Sequence, residues 1–241
     1  MEKITSIHDG VKKLLEIRGR EVPEFVLEPC ESAGFADTLV WNGQRIPLLH
    51  SRYMPRIRAI AGYGGRPENN SALNVYSFTG CDVSLEQLIY RELDIAEFIL
   101  HSKVKKITAF VNRNAASIIA VMENDTCANL DLGNTMADGA HYQCQHRLVT
   151  NHGMANDLSA TDMTIQHQMY VFGQEGTTVY DDDEFYLYGL DEDEVAKVLT
   201  IHAVLTGKVE WHDWADRDAR YRRLIAAVYE SDKLGKTVHV D

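Results

Sequence analysis

Gln87, Arg91, Asp94 and Phe98 are spaced i, i+4, i+7 and i+11, so on a helix three polar side chains and one aromatic share a face. An arginine in that row can orient a carboxylate or phosphate through its fork of donors, and an aspartate one turn on can move a proton. A second group follows. His141, His146, His152 and His167 fall on neighbouring predicted strands, with Gln143, Gln145 and Arg147 among them. Histidine titrates near neutral pH and suits proton transfer. With Asp157 or Asp162, two or three of these rings on one face would also hold a metal. His141 and His146 differ by an odd number, however, which on one strand sends them to opposite faces, and no metal is assigned. The candidate catalytic residues are Arg91, Asp94 and His146; the candidate substrate contacts are Gln87, Tyr53, Arg113, His141, Gln143 and His152. Plainer uses compete with these. Ser84 and Gln87 form an S-x-x-Q capping box, and polar strand residues also suit a solvated or subunit-facing sheet.

The element that must position the first group is the stretch Ser84 to Arg113. Leu85, Leu88, Ile89, Leu93, Ala96, Ile99 and Leu100 make one apolar stripe at helical period, which predicts a helix packed on one side and free on the other. From Lys106 the period becomes that of strands, at 107–111, 117–122 and 127–132, as in an antiparallel meander. Further strands are predicted at 142–150, 164–172, 177–180 and 184–188. Upstream, a short helix at 7–19 and a strand at 24–27 precede a hairpin turning at Asn42-Gly43, the dipeptide suited to a type I′ turn. Pro47 confines the second hairpin strand to an edge. A short helical piece spans 56–60. Gly62 to Asn70 is loop-like and fails the dinucleotide pattern, since Pro67 stands where a third glycine is needed. Asp191 and Glu194 cap a helix running to Leu205, and a last helix spans 216–233 before a short strand at 237–240. The class is α+β, a large open, predominantly antiparallel sheet with helices on one face.

The chain has 241 residues, 45% of them hydrophobic, enough for a real core. Its 36 acidic residues against 24 basic give a net charge of -12, which argues against nucleic acid or an anionic membrane as partner. No apolar run reaches the length of a membrane span, and no apolar signal core follows Met1, so a cytoplasmic location is expected. Cys30, Cys81, Cys127 and Cys144 are scattered singly, so buried free thiols are expected. Trp211, His212 and Trp214 sit between the last two predicted helices and are expected to pack against the sheet edge or a partner subunit.

Several stretches resemble one family. Val171 to Asp182, with its G-Q-E-G-T turn, resembles the sheet hairpin of the Gfo/Idh/MocA oxidoreductases. Arg223 to Ser231 followed by Gly235-Lys236-Thr237-Val238 is similar to that family's final helix and its ending. His50-Ser51-Arg52-Tyr53-Met54-Pro55 resembles the segment that enters its C-terminal domain, and Val26-Leu27-Glu28-Pro29 looks like its E-K-P strand without the lysine. The resemblance implies a C-terminal domain at 52–241 behind a short N-terminal remnant at 1–51, where the family has a complete NAD(P)-binding fold. It also sets the helix against the family's D-x-x-x-H-x-x-D pattern. Asp94 then stands at the last aspartate, Arg91 at the histidine and Gln87 at the first aspartate.

Arginine stays protonated and glutamine cannot ionise, so neither serves as the base for alcohol oxidation. The expectation is a remodelled relative that has lost nicotinamide chemistry, with no cofactor, binding or transforming a small polar metabolite. If an enzyme, it would be a cofactor-independent lyase, isomerase or cyclase. The alternative is a subunit of an NAD(P)-dependent sugar or cyclitol oxidoreductase whose nucleotide domain comes from a dehydrogenase partner chain. An open sheet this wide has a second face to cover, and a homodimer through it is expected.

Overall fold

The structure, a computed structural model, describes residues 4–30, 34–63, 71–140, 142–157, 168–173, 176–181, 187 and 189–240, with only the backbone described for 168–173 and 176–181. In chain order the elements begin with α1 (Ile7–Ile17), β1 (Val26–Glu28), β2 (Thr38–Trp41), β3 (Gln44–Pro47), a 3-10 turn (His50–Tyr53) and α2 (Pro55–Gly62). Next come β4 (Ala72–Gly80), α3 (Leu85–Leu100), β5 (Val104–Val111), β6 (Ala115–Met122), β7 (Cys127–Met136), β8 (Gln143–Thr150) and β9 (Gly153–Asp157). Last are β10 (Gln168–Gly173), β11 (Gly176–Asp181), α4 (Glu192–Leu205), α5 (Trp214–Leu234) and β12 (Val238–His239). They form two compact units, one of Met1–Pro55 with Asp183–Arg220, the other of Arg56–Asp182 with Tyr221–Asp241.

In the first unit β1, β2 and β3 make a three-stranded antiparallel sheet. Asn42 (φ 49°) and Gly43 (φ 74°) turn the hairpin with the positive φ at both central positions that a type I′ turn requires. Pro47 sits on the edge strand, where a missing N–H costs no ladder bond. Ser6 caps α1, and Asp191 with Glu194 forms the reciprocal box that starts α4. Asp193 Oδ1 meets His50 Nε2 at 2.9 Å, and Lys197 Nζ reaches Asp37 at 2.9 Å and Asp193 at 3.0 Å. These ion pairs tie α4 to the turn and loop beside it. Burial alone would raise the Asp193 carboxyl, but His50 and Lys197 overcome it and hold the group far below the usual range.

Among the described residues the strands of the second unit form one nine-stranded sheet in the order β11-β10-β9-β8-β4-β7-β6-β5-β12. Every pairing is antiparallel except that of β4 with β7. Strand periodicity separates its faces. Ala116, Ile118, Ala120 and Met122 of β6, with Ala128, Leu130 and Leu132 of β7, are buried on the face that α3 covers. Tyr76, Phe78, Phe110, Ile119 and Val149 are exposed and point to the other face. The strand β4 went unassigned in the sequence, as did β9, and β4 breaks the simple meander by inserting parallel to β7. Of the strand predicted at 184–188, residues 184–186 and 188 lie outside the described residues, as do the 164–167 portion of the strand ending at 172 and most of the Gly62–Asn70 tract.

Two further expectations are corrected. The face of α3 opposite its stripe is not free, since Arg91 and Asp94 are buried and the helix is enclosed almost all round from Leu88 to Glu97. The four thiols are free but only Cys144 is buried; Cys81 is exposed and Cys30 and Cys127 are intermediate. Trp214 is buried with its ring beside that of Tyr53, whereas His212 is exposed, with the Trp211 ring stacked on it at 4.2 Å.

Candidate functional site

The second unit holds a cluster of charged side chains on the inner face of its sheet. The capping box sets the register of α3, with Ser84 Oγ accepting from Gln87 N and Gln87 Oε1 accepting from Ser84 N. That register aims Glu92 at β4 and β8. There Glu92 Oε1 accepts from Ser77 Oγ at 2.8 Å and from Arg91 Nη1 at 2.5 Å, while Oε2 meets His146 Nε2 at 2.9 Å. The other ring nitrogen, Nδ1, lies 2.8 Å from Asp157 Oδ2. Asp157 Oδ1 accepts from the backbone N–H of His146, and Oδ2 takes Arg56 Nη1 at 3.0 Å. Arg56 Nη2 also lies 3.0 Å from the Cys144 sulfur.

Glu92, His146 and Asp157 are wholly buried, and Arg91 is only 6% exposed. Buried charges survive only when paired and hydrogen-bonded, which this chain of contacts achieves. Burial works against every ionised form here. Asp157 and Glu92 nevertheless push the His146 imidazole up to about 10, so at neutral pH it is an imidazolium donating from both nitrogens. Arg91 and His146 in turn pull Glu92 down to about 2, and His146 and Arg56 lower Asp157. Glu92 likewise holds Arg91 more firmly charged than usual. The Arg91 guanidinium lies 4.3 Å from the centre of the Tyr142 ring, a cation–π contact. The arrangement is a locked electrostatic frame that holds the Arg91 guanidinium between the Glu92 carboxylate and the Tyr142 ring.

Of the candidate residues, Arg91 and His146 meet in this frame through Glu92. Asp94 lies on the same helix and is buried. The others are dispersed. Gln87 is spent on the helix cap, and Gln143 is exposed on the face of β8 opposite His146. Arg113 is exposed in the turn between β5 and β6, three to four strand spacings from β8, or about 14 to 19 Å. His152 is exposed in the turn after β8, where its backbone N–H donates to Thr150 Oγ1. Tyr53 belongs to the first unit, with its ring 6.4 Å from Trp214. His141 lies outside the described residues. A cleft wall combining Gln143 and His152 with His146 is therefore not what the sheet presents.

Sequence reasoning missed Glu92, Arg56, Ser77 and Tyr142 as site residues and weighed Asp157 only as a metal ligand. One signal was available: Glu92 stands four residues from both Leu88 and Ala96, inside the apolar stripe.

No protein-family model matches the chain, and no curated protein matches it. Solved structures do. An oxidoreductase from Agrobacterium radiobacter in complex with NAD+, L-tartaric acid and magnesium matches with a TM-score of 0.64 at 20% identity, over 80% of this chain and 64% of that one. A levoglucosan dehydrogenase in complex with NADH and levoglucosan matches at 0.61 and 12% identity, over 80% and 65%. A scyllo-inositol dehydrogenase from Lactobacillus casei matches at 0.54 and 14%, over 79% and 62%. The chain thus spans less than two thirds of each of these proteins. They are oxidoreductases of the Gfo/Idh/MocA type, and the fold of this chain is theirs. No helix among the described residues is long and apolar enough to cross a membrane.

Proposed function

We propose that this chain uses a Gfo/Idh/MocA-type fold to bind a small polar metabolite, sugar-like or carboxylated, without nicotinamide, and that it works as a homodimer. The observation that carries the reading is the state of the charges around Arg91. Where the resemblance would put a titrating histidine there is a permanently charged guanidinium, and the nearest imidazole is held protonated between Glu92 and Asp157. A ring held near 10 cannot accept a proton from an alcohol at neutral pH. His146 on this reading is a positioning residue that fixes Glu92 and, through it, Arg91. Arg91 then supplies charge to a carboxylate or phosphate, and in a cofactor-independent lyase, isomerase or cyclase Asp94 would move the proton.

The described residues do not fit a dinucleotide. Phosphate binding in such folds needs a parallel βαβ unit with a glycine turn at a helix N-terminus. The first unit has an antiparallel sheet, and the only parallel pair among the described residues, β4 with β7, belongs to the second. Dimerisation is supported by five large apolar side chains on the uncovered face of the sheet, Phe110 the most exposed at 67%.

The first test is a fluorescence titration with NADH and NADPH, followed by a thermal-shift screen of polar metabolites on wild-type protein and the Arg91→Met variant. We expect no saturable nicotinamide binding, and a metabolite that stabilises the wild type but not the variant. Equal stabilisation of a folded Arg91→Met variant would remove Arg91 from the site. Saturable NADH binding by the chain alone would overturn the reading. The second reading, a subunit completed by a dehydrogenase partner, draws on the neighbours solved with NAD+ and NADH. Copurification with such a partner, and nicotinamide binding by the pair only, would favour it.

A further inference from the structure

The first unit carries a cluster of basic side chains that the proposed function does not use. Helices α1 and α4 lie side by side: a Cβ on Gly10 would stand 2.8 Å from Val198 Cγ2. His202 follows Val198 by one turn, as Leu14 follows Gly10, and both are buried. Each helix ends in a turn with a glycine at positive φ, Gly19 (63°) and Gly207 (66°). Backbone N–H groups of Arg18, Gly19 and Arg20 on one side, and of Thr206, Gly207 and Lys208 on the other, already satisfy terminal carbonyls.

Arg18, Arg20 and Lys208 project from these two turns and are exposed. Among the described residues none of the three side chains has an ion pair, although the chain as a whole is strongly acidic. Behind them His202 is only 4% exposed, and its Nε2 has no hydrogen-bond partner. The side-chain charges that bear on its ring are all positive: Arg18, then Lys208, then Arg20. The two helix ends offset part of this field, about half a negative charge each, and Glu16, Glu21 and Glu210 stand within two residues of the cations, although none of the three carboxylates bears on the His202 ring. A buried imidazole with an unmet nitrogen, facing three unpaired cations, is the environment that an anion would complete.

We propose that the adjoining C-terminal ends of α1 and α4 form a binding site for a small tetrahedral oxoanion, inorganic phosphate or a phosphate monoester. Arg18, Arg20 and Lys208 hold its charge, and His202 closes its inner wall through Nε2. The site lies wholly within the first unit and stands independently of the frame around Arg91.

The test is an NMR titration of the histidine ring protons at constant ionic strength, with inorganic phosphate in one arm, glycerol 3-phosphate in a second and chloride as control. The His202 resonance is identified by its loss in His202→Gln. The expected result is a saturable shift of that resonance with phosphate or the monoester but not with chloride, and a rise of about one unit or more in its midpoint. The relative strength of the two arms says whether free phosphate or an ester is preferred. The double variant Arg20→Gln, Lys208→Gln changes only exposed side chains and keeps the fold, and it should bind at least tenfold more weakly. A His202 shift that never saturates at tens of millimolar phosphate, or an unchanged affinity in the double variant, would overturn the proposal.

Discussion

Replacing His146 by glutamine removes the one cation that lies between Glu92 and Asp157, and the consequence can be worked out from the frame. In the folded protein the ring is held at about 10 against an ordinary 6.5, because two ionised carboxylates outweigh its burial. Between those values the native state binds a proton that the unfolded chain does not. The ring therefore stabilises the fold fully below pH 6.5 by up to ~5 kcal/mol, and that contribution fades as pH rises toward 10. From pH 7 to pH 9 the wild type should lose about 2.5 kcal/mol through this group alone, and His146→Gln should lose none through it. At pH 7 the variant should be less stable by about 3 to 5 kcal/mol, since Glu92 and Asp157 then face each other across a neutral amide. Urea melts followed by far-ultraviolet circular dichroism measure both effects. Trp41, Trp211 and Trp214 all belong to the first unit, so tryptophan fluorescence follows the other half of the molecule as an internal control. A variant within about 1 kcal/mol of the wild type, or equal pH slopes for the two proteins above pH 7, would refute a protonated, load-carrying His146.

Three more outcomes follow from other parts of the structure. His202 is the opposite case: burial first, then Arg18, Lys208 and Arg20, push it down to about 4, so the unfolded chain takes up the proton first as pH falls below 6.5. Stability should drop by about 1 to 3 kcal/mol between pH 6.5 and pH 4 through this group after allowing for screening, and thermal melts of His202→Gln should show a flatter acid limb. Gly80→Ala would set a Cβ 2.6 Å from the backbone oxygen of Ala137 and against Asp82, costing about 1 to 3 kcal/mol in a denaturant melt, because the backbone cannot step aside. The double substitution Phe110→Asp, Ile119→Asp puts two charges on the uncovered sheet face and should convert a dimer to monomers by light scattering; a wild type already monomeric at micromolar concentration would contradict the interface.

Where the sequence could be read, a local device fixed the answer. Ser84 with Gln87 marked the start of α3, Asp191 with Glu194 that of α4, and Asn42-Gly43 the turn between β2 and β3. Each is a bond or a backbone preference acting within four residues. The strand β4 lacked such a device, and its alternation works against detection. Ser77 and Thr79 point into the core while Tyr76 and Phe78 point out, so the hydrophobic pattern inverts halfway along. Ser77 is inside because Glu92 is there to accept its hydroxyl.

The frame itself was illegible for a related reason. Its bonds join residues far apart in the chain, Arg56 to Asp157 and Glu92 to His146, and an ion pair imposes no period on the sequence around it. What the sequence did contain was an unpaired obligation. A carboxylate on the apolar stripe of a helix must be buried if the stripe is buried, and a buried carboxylate must find donors. On an α+β fold those donors have to come from the strands beneath the helix or from a flanking helix. His146 and Ser77 on the strands, with Arg91 beside it, are the donors Glu92 found. His146 in turn required Asp157, and Asp157 required Arg56. The obligation that begins at Glu92 runs through β8 to β9 and makes His146 a locked cation rather than a free base on a cleft wall.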